Sequence, residues 1–421
     1  MKQKLLVRGP VLSQSGYGEQ ARFALRALRE KANEFDIFII TTGWGQTGWV
    51  SKTNEERKWL DDHIFKTAHY VKDGQEKNIP PQSLFDVSLQ ITIPNEWDNL
   101  APINIGYTAG IETTKVAPEW LEKANQMDRI IVVSTHAKDV FENTIYTAQN
   151  PNNPSETATL KCTTPIDVVN YSVRKEDPTG LELDLEYDFN FLCMAQMGPR
   201  KNLANTIKWF IEENFDREVG LIVKTSTKNN CIIDREFTEN AFKQLLDPYE
   251  DYKCKIYLLH GDLTDKEVAG LYTHPKIKAM LTATHGEGFG LPLFEAACHA
   301  MPVIAPGWSG QCDFLYIPDK RRKDGKKKPM FASVEYDLKP VQPEARWKGV
   351  ILEDSSWCFP REASYKRRLR EVFTKYSQFK KNAIKLQKHI IQNFSEDIQY
   401  EKFAQCITQP SDPTFSEIIT L

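Results

Sequence analysis

Two glutamates bracket a glycine-rich turn in the segment His285-Gly286-Glu287-Gly288-Phe289-Gly290-Leu291-Pro292-Leu293-Phe294-Glu295. A carboxylate presents two acceptor oxygens, which suits a pair of vicinal hydroxyls of the kind sugars and riboses carry. Glu287 lies in the turn and Glu295 one helical turn beyond it, so each can reach a different diol. The turn between them reads as an anion site. Gly286, Gly288 and Gly290 let backbone come close to a ligand, Pro292 suits the first turn of a helix, and Phe294, Ala297 and Cys298 continue an apolar helix face. Free N–H groups and the positive end of the helix dipole then favour a diphosphate. Diol, diphosphate, diol is the layout of a nucleotide-sugar. A plain strand–loop–helix crossover, with Glu287 stabilised by the dipole, is the competing reading.

The elements that must hold this segment alternate along the chain. Lys4-Leu5-Leu6-Val7 is a short apolar strand running into Ser13-Gln14-Ser15-Gly16-Tyr17-Gly18, and Ala21, Ala24, Leu25 and Leu28 then recur at helical spacing. Strands are expected again at 36–40, 103–107 and 129–133. An acidic stretch, 175–187, carries little apolar periodicity and reads as a linker. A second series follows, with strands at 189–194, 220–224, 256–259, 279–282 and 302–305 and a helix over 203–213. The fold class is therefore α/β, in two halves of similar size, with ligands expected at the carboxyl ends of the strands in the cleft between them. The expected domains are 1–174, 188–396, and a tail, 397–421, crossing back to the first. At 421 residues, two cores are the default.

At the glycine turn the sequence resembles the Glu-x7-Glu motif of the retaining family 4 glycosyltransferases, whose GT-B fold is two facing Rossmann-like domains. The likeness covers nearly all of the second half and, more faintly, the first. It implies transfer of a hexose or pentose from a nucleotide-sugar, expected to be a UDP-sugar. Glu287 would contact the donor sugar and Glu295 the ribose, with Gly288, Phe289, Gly290 and Leu291 near sugar and phosphate. Met197-Gly198-Pro199-Arg200-Lys201-Asn202 is similar to the family's cationic turn, which neutralises the departing diphosphate. Lys201 fits the family lysine. The arginine expected five positions earlier is Gln196 here, so Arg200 or Lys224 must supply part of that charge. Gly16, Tyr17 and Gly18 resemble the glycine loop that approaches donor phosphate. Tyr107 to Glu112 resembles the loop over the sugar, making Glu112 a polar contact to sugar or acceptor, or else a cap for the helix containing Trp120. His285 can orient the motif, and His136 reads as structural.

Retention without an enzymic nucleophile follows from the resemblance. No Asp-x-Asp stands at a convincing strand end, so no obligatory metal or cofactor is expected. Ser15 to Arg22, Trp44-Gly45 and Gly307-Trp308-Ser309-Gly310 look similar to glycosyltransferases of tailed phages, some of which modify hydroxymethylated cytosines in DNA. Net charge is only −3, but the last third is locally basic. Lys320, Arg321, Arg322 and Lys323 would suit double-stranded DNA as acceptor; a lipid-linked or polysaccharide acceptor, and a non-catalytic nucleotide- or nucleic-acid-binding protein, are the alternatives. Without a long apolar run or a signal peptide, a cytoplasmic protein with no transmembrane segment is expected. Eight scattered cysteines with no Cys-x-x-Cys pair argue against zinc ribbons and disulfide frameworks.

Overall fold

The computed structural model describes residues 2–50, 53–150, 153–174, 176–319 and 326–408. Its first half runs β1 (Gln3–Gly9), α1 (Gly16–Glu30), β2 (Phe35–Thr41), α2 (Glu55–Glu76), β3 (Val87–Ile91), β4 (Ile103–Thr108), α3 (Pro118–Ala124), β5 (Arg129–Val132) and α4 (Thr135–Asn143). A hairpin of β6 (Ile145–Asn150) and β7 (Asn153–Lys161) precedes β8 (Ile166–Val168). Six of these strands form one parallel sheet in the order β2-β1-β3-β4-β5-β8.

The second half repeats the plan. It runs β9 (Asn190–Met194), α5 (Leu203–Asn214), β10 (Gly220–Lys224), α6 (Ile232–Leu246), β11 (Lys255–Leu259), α7 (Asp265–Thr273), β12 (Ile277–Leu281), α8 (Leu291–Cys298), β13 (Val303–Pro306) and α9 (Cys312–Leu315). Then come a hairpin of β14 (Tyr316–Pro318) and β15 (Lys327–Pro329), β16 (Ala332–Val334), and a second hairpin of β17 (Tyr336–Pro340) and β18 (Ser356–Pro360). Helices α10 (Glu362–Thr374), α11 (Tyr376–Asn393) and α12 (Glu396–Thr408) close the described chain. The second parallel sheet has the order β11-β10-β9-β12-β13-β16. No helix of the described residues is long and apolar enough to cross a membrane.

Parallel strands covered by helices on both faces read as continuous apolar runs, which is why most of them were visible in sequence. Strand β3 was not. Its residues Ser88 and Gln90 are polar yet fully buried, because Ser88 Oγ donates to Asn104 Oδ1 at 2.7 Å and Gln90 Nε2 to the Asp98 carbonyl at 2.6 Å. Burial with every polar group paired costs little, so the pattern hid a central strand.

The helix starts are set locally. Ser15 caps α1 by accepting from Gly18 N at 3.0 Å, and α8 opens from Gly290, whose φ of +91° belongs to the left-handed region, with Pro292 in its first turn. Helix α12 packs on α1. Phe23 meets Tyr400 and Phe403 at ring separations of 5.5 and 5.7 Å, and Lys31 pairs with Glu401 at 2.9 Å.

Candidate active site at the facing sheet edges

The turn after β9, Pro199–Lys201, is stitched to the loop after β12. His285 N donates to the Arg200 carbonyl at 2.8 Å, and Asn202 Nδ2 donates to the Ala283 carbonyl at 2.9 Å from a left-handed backbone of φ +50°. This brings two cations onto Glu287. Lys201 Nζ donates to both carboxylate oxygens, at 2.8 and 2.7 Å, and Arg200 Nη1 lies 3.2 Å from Oε2. The same guanidinium nitrogen lies 3.1 Å from Glu112 Oε1 in the first half and donates to the Gly286 carbonyl at 2.6 Å. Glu112, Arg200, Lys201 and Glu287 thus form one ion cluster spanning both halves. Glu112 does not cap α3, whose N-terminal residue Ala117 has no side-chain cap.

The electrostatics follow from that packing. Burial disfavours a charged Glu287, but Lys201 and then Arg200 outweigh it and hold its carboxyl at about 2. Burial lowers Lys201, as does Arg200 beside it, against the pull of Glu287. Burial opposes the Arg200 charge too, and Glu112 and Glu287 overcome it. Two carboxylates and two cations balance in a poorly solvated place, and an arriving dianion would compete for the cations.

The glycines have a structural purpose that sequence did not reveal. A Cβ on Gly286 would stand 2.8 Å from Glu112 Cβ, and one on Gly288 would stand 2.9 Å from the Ala109 carbonyl oxygen. Both glycines therefore admit the loop of the first half as much as any ligand. On the other flank, Glu287 N donates to Ser309 Oγ at 2.8 Å, Gly310 N donates to the Glu287 carbonyl at 2.9 Å, and a Cβ on Gly310 would be 1.9 Å from the Gly288 oxygen. Ser309 holds φ +66° to make this fit. His285 braces the motif from behind: it stacks on Trp357 at 5.0 Å and 7°, and its Nδ1 lies 2.7 Å from the Cys358 carbonyl. His136 is half-buried with its pKa lowered to about 4, desolvation being the main cause, and packs edge-on to Trp308.

Glu295 stands apart from the cluster. It lines a cleft of about 650 Å³, mouth included, between α1, the Tyr171–Arg174 segment, α7 and α8. The residue is half-buried in the cleft wall, and that loss of water pushes its carboxyl up to about 7, opposed by the Tyr272 hydroxyl, which donates to Oε2 at 2.9 Å. Across the cleft Arg174 joins the halves, 3.6 Å from Glu19 and 3.0 Å from Asp265. Tyr272 and Arg174 gave no signal in sequence, since each is an ordinary helix or linker residue until its distant partner is known; Glu19 and Ser309 lay in segments marked by resemblance, but neither had a contact assigned to it.

The remaining expected contacts divide. Gly16 faces open space, with nothing within 4 Å of a built Cβ, whereas a Cβ on Gly18 would strike the Ser13 carbonyl at 1.9 Å. Tyr17 is buried, its hydroxyl 2.7 Å from Thr108 Oγ1 and accepting from Ala109 N at 3.2 Å, so it supports the loop over the cleft from within. Phe289 buries its ring between Tyr171, Phe294 and Phe314, leaving only its backbone for a ligand; Leu291 lines the Glu295 cleft. Lys224 ends β10 beside Met194 of β9, and burial lowers its pKa against the pull of Asp262. Gln196 donates from Nε2 to the Thr227 carbonyl at 3.2 Å. Lys320, Arg321, Arg322 and Lys323 lie outside the described residues. Among the described residues no group of three or more His, Cys, Asp or Glu side chains is placed to hold a metal ion.

No protein-family model matches the chain. The serotype-specific mannosyltransferase WbdA of Escherichia coli is 30% identical over 118 residues, which are 27% of this chain and 13% of that protein, so the chain spans only a small part of this relative's length. Several solved structures match nearly end to end, among them the following three. Sucrose-phosphate synthase from Thermosynechococcus elongatus aligns with a TM-score of 0.61 at 10% identity, covering 96% of this chain and 98% of that one. A glycosyltransferase from Rickettsia africae aligns at 0.58 and 15% identity, covering 97% and 99%. HepE of Anabaena, in complex with UDP and glucose, aligns at 0.55 and 12% identity, covering 96% and 98%. The chain has the fold shared by these structures, the GT-B arrangement of two facing Rossmann-like halves.

Proposed function

We propose that this chain is a glycosyltransferase that moves a sugar from a UDP-sugar to an acceptor hydroxyl with retention of anomeric configuration, as a member of the family 4 enzymes. The observation that carries this reading is the ion cluster of Glu287, Lys201, Arg200 and Glu112 at the facing sheet edges. A bound diphosphate would draw Lys201 and Arg200 toward itself, with Lys224 as a further cation. Glu287 would then be released to accept hydroxyls of the donor sugar, and Glu295 those of the ribose. Gly16 leaves space for the phosphates and Glu112 stands on the acceptor side.

In the transfer, the bond from the anomeric carbon to the diphosphate oxygen breaks and the acceptor oxygen bonds to that carbon from the same face. The acceptor's proton passes to the departing diphosphate, whose growing charge the lysine and arginine stabilise. The UDP-bound neighbour of the same fold supports a UDP-sugar donor, and the mannosyltransferase relative supports sugar transfer. Two acceptors fit the basic second half: hydroxymethylated cytosine in duplex DNA, exposed from the stack, or a lipid-linked saccharide. The exposed surface of α11 favours the second.

Thermal unfolding with UDP-, GDP- and ADP-sugars tests the donor site, since a ligand of the native state raises apparent stability by mass action. A rise with UDP-sugars that is lost in Glu295→Ala is expected. No rise with any donor, together with no donor hydrolysis, would remove the proposal.

A further inference from the structure

Helix α11 carries no acidic residue in its eighteen positions, Tyr-Ser-Gln-Phe-Lys-Lys-Asn-Ala-Ile-Lys-Leu-Gln-Lys-His-Ile-Ile-Gln-Asn. Its inner face, Ala383, Leu386 and Ile390, is buried. At 100° per residue, Lys381, Ile384, Lys385, Lys388 and Ile391 fall on the opposite face, within an arc of about 120°. The three lysines are exposed, and among the described residues none of them has an ion pair, whereas the arginines of the neighbouring α10 are all paired with carboxylates. Two isoleucines, Ile384 and Ile391, lie together along one flank of the lysines, 39% and 47% exposed. Further lysines lie alongside: after burial, Lys278 disfavours the charge of Lys380, and Lys327 that of His389.

A solvated helix face normally mixes both signs of charge, and a phosphate backbone offers isoleucine nothing. An anionic bilayer satisfies both, because lysines meet lipid phosphates while short apolar side chains enter the boundary with the acyl chains. We infer that the outer face of α11 is a docking surface for an anionic membrane, holding the second half against lipid with Ile384 and Ile391 as shallow anchors. The inference stands on this helix alone and does not require that the cleft transfer sugar.

Flotation of the full chain with vesicles of phosphatidylcholine mixed with phosphatidylglycerol, against pure phosphatidylcholine, tests it without any donor. The chain is expected to float with the mixed vesicles only. Each lysine at an anionic surface contributes about 1 kcal/mol, so Lys381→Glu/Lys385→Glu/Lys388→Glu should weaken binding at least a hundredfold, about tenfold for each 1.4 kcal/mol. Ile384→Ser/Ile391→Ser should weaken it about tenfold or more while leaving affinity for a short DNA duplex unchanged. Unaltered melting temperatures would show that both variants fold. Failure to float, equal flotation with pure phosphatidylcholine, or lysine reversals that abolish duplex binding and spare the vesicles would each overturn the inference.

Discussion

Arg200, from the second sheet, reaches Glu112, from the first, at 3.1 Å while holding Glu287 of its own half at 3.2 Å. A residue that joins the halves is therefore also a residue of the proposed donor site, and ligand binding there cannot leave this contact between the halves untouched.

Removing Lys201 tests how the cluster balances. Lys201→Met leaves the Glu287 carboxylate buried beside Arg200 alone, and breaking a buried pair from one side costs about 3 kcal/mol. Lys201→Met/Glu287→Gln removes both charges and should restore most of that stability, with sugar transfer lost in both variants. The midpoint of urea unfolding at unchanged slope reports the difference. If the double variant is as unstable as the single one, the cluster is not the coupled unit described.

Glu295 predicts a pH dependence of stability with an unusual sign. Its carboxyl titrates at about 7 in the folded chain against an ordinary value of 4.5. Between these values the folded state binds more protons than the unfolded one, so this group makes stability fall as pH rises from about 4.5 to 7. Glu295→Gln should remove that component, and unfolding midpoints across the window should then change less for the variant than for the parent. Identical profiles would show that Glu295 titrates as an ordinary carboxylate. For the donor the direction is opposite: ribose hydroxyls prefer the ionised acceptor, so donor affinity should rise through pH 7 in the parent only.

The strand–turn–helix at 282–298 and the two alternating series were legible because apolar runs and glycine spacing are local properties. Glu287 was legible from the same glycine turn, whereas Lys201 and Arg200 were read from the resemblance of the 197–202 turn, and the structure sets both against Glu287. What escaped was pairing over distance. Ser88 and Gln90 hid β3 because their partners, Asn104 and Asp98, are not neighbours in sequence. Gly286 and Gly288 read as room for a ligand, and the structure shows that they also make room for Ala109 and Glu112. Tyr17 read as a cleft residue, but its hydroxyl points to Thr108, on a strand 91 residues away.

The glycines themselves give a contrast between fold and function. Gly310→Ala would drive a Cβ to 1.9 Å from the Gly288 oxygen and should destabilise the chain by about 3 kcal/mol, as overpacking against backbone does. Gly16→Ala has open space around it at the first position of α1, so it should leave stability unchanged or higher by up to about 1 kcal/mol. If donor phosphates come as close to Gly16 as proposed, the same variant should raise the KM for donor. A stable Gly16→Ala enzyme with unchanged donor kinetics would place the phosphates elsewhere.

Asp313 tests how firmly the halves are latched. From α9 it accepts from Thr135 N at 2.8 Å, Thr135 Oγ1 at 3.2 Å and Asn170 Nδ2 at 3.0 Å, all in the first half. Thr135 begins α4, so the carboxylate also meets the positive end of that helix. Asp313→Ala removes all three bonds and should cost about 2 kcal/mol, because hydrogen bonds to a charged acceptor are worth more than neutral ones even at a partly open site. Asp313→Asn keeps the shape and one acceptor oxygen and should lose about half as much. Amide hydrogen exchange separates a loosened latch from general destabilisation. In Asp313→Ala, exchange should rise at the start of α4 and in the 282–290 loop while β4 and β12 stay protected. A uniform rise across both sheets would mean that Asp313 stabilises its own half and latches nothing.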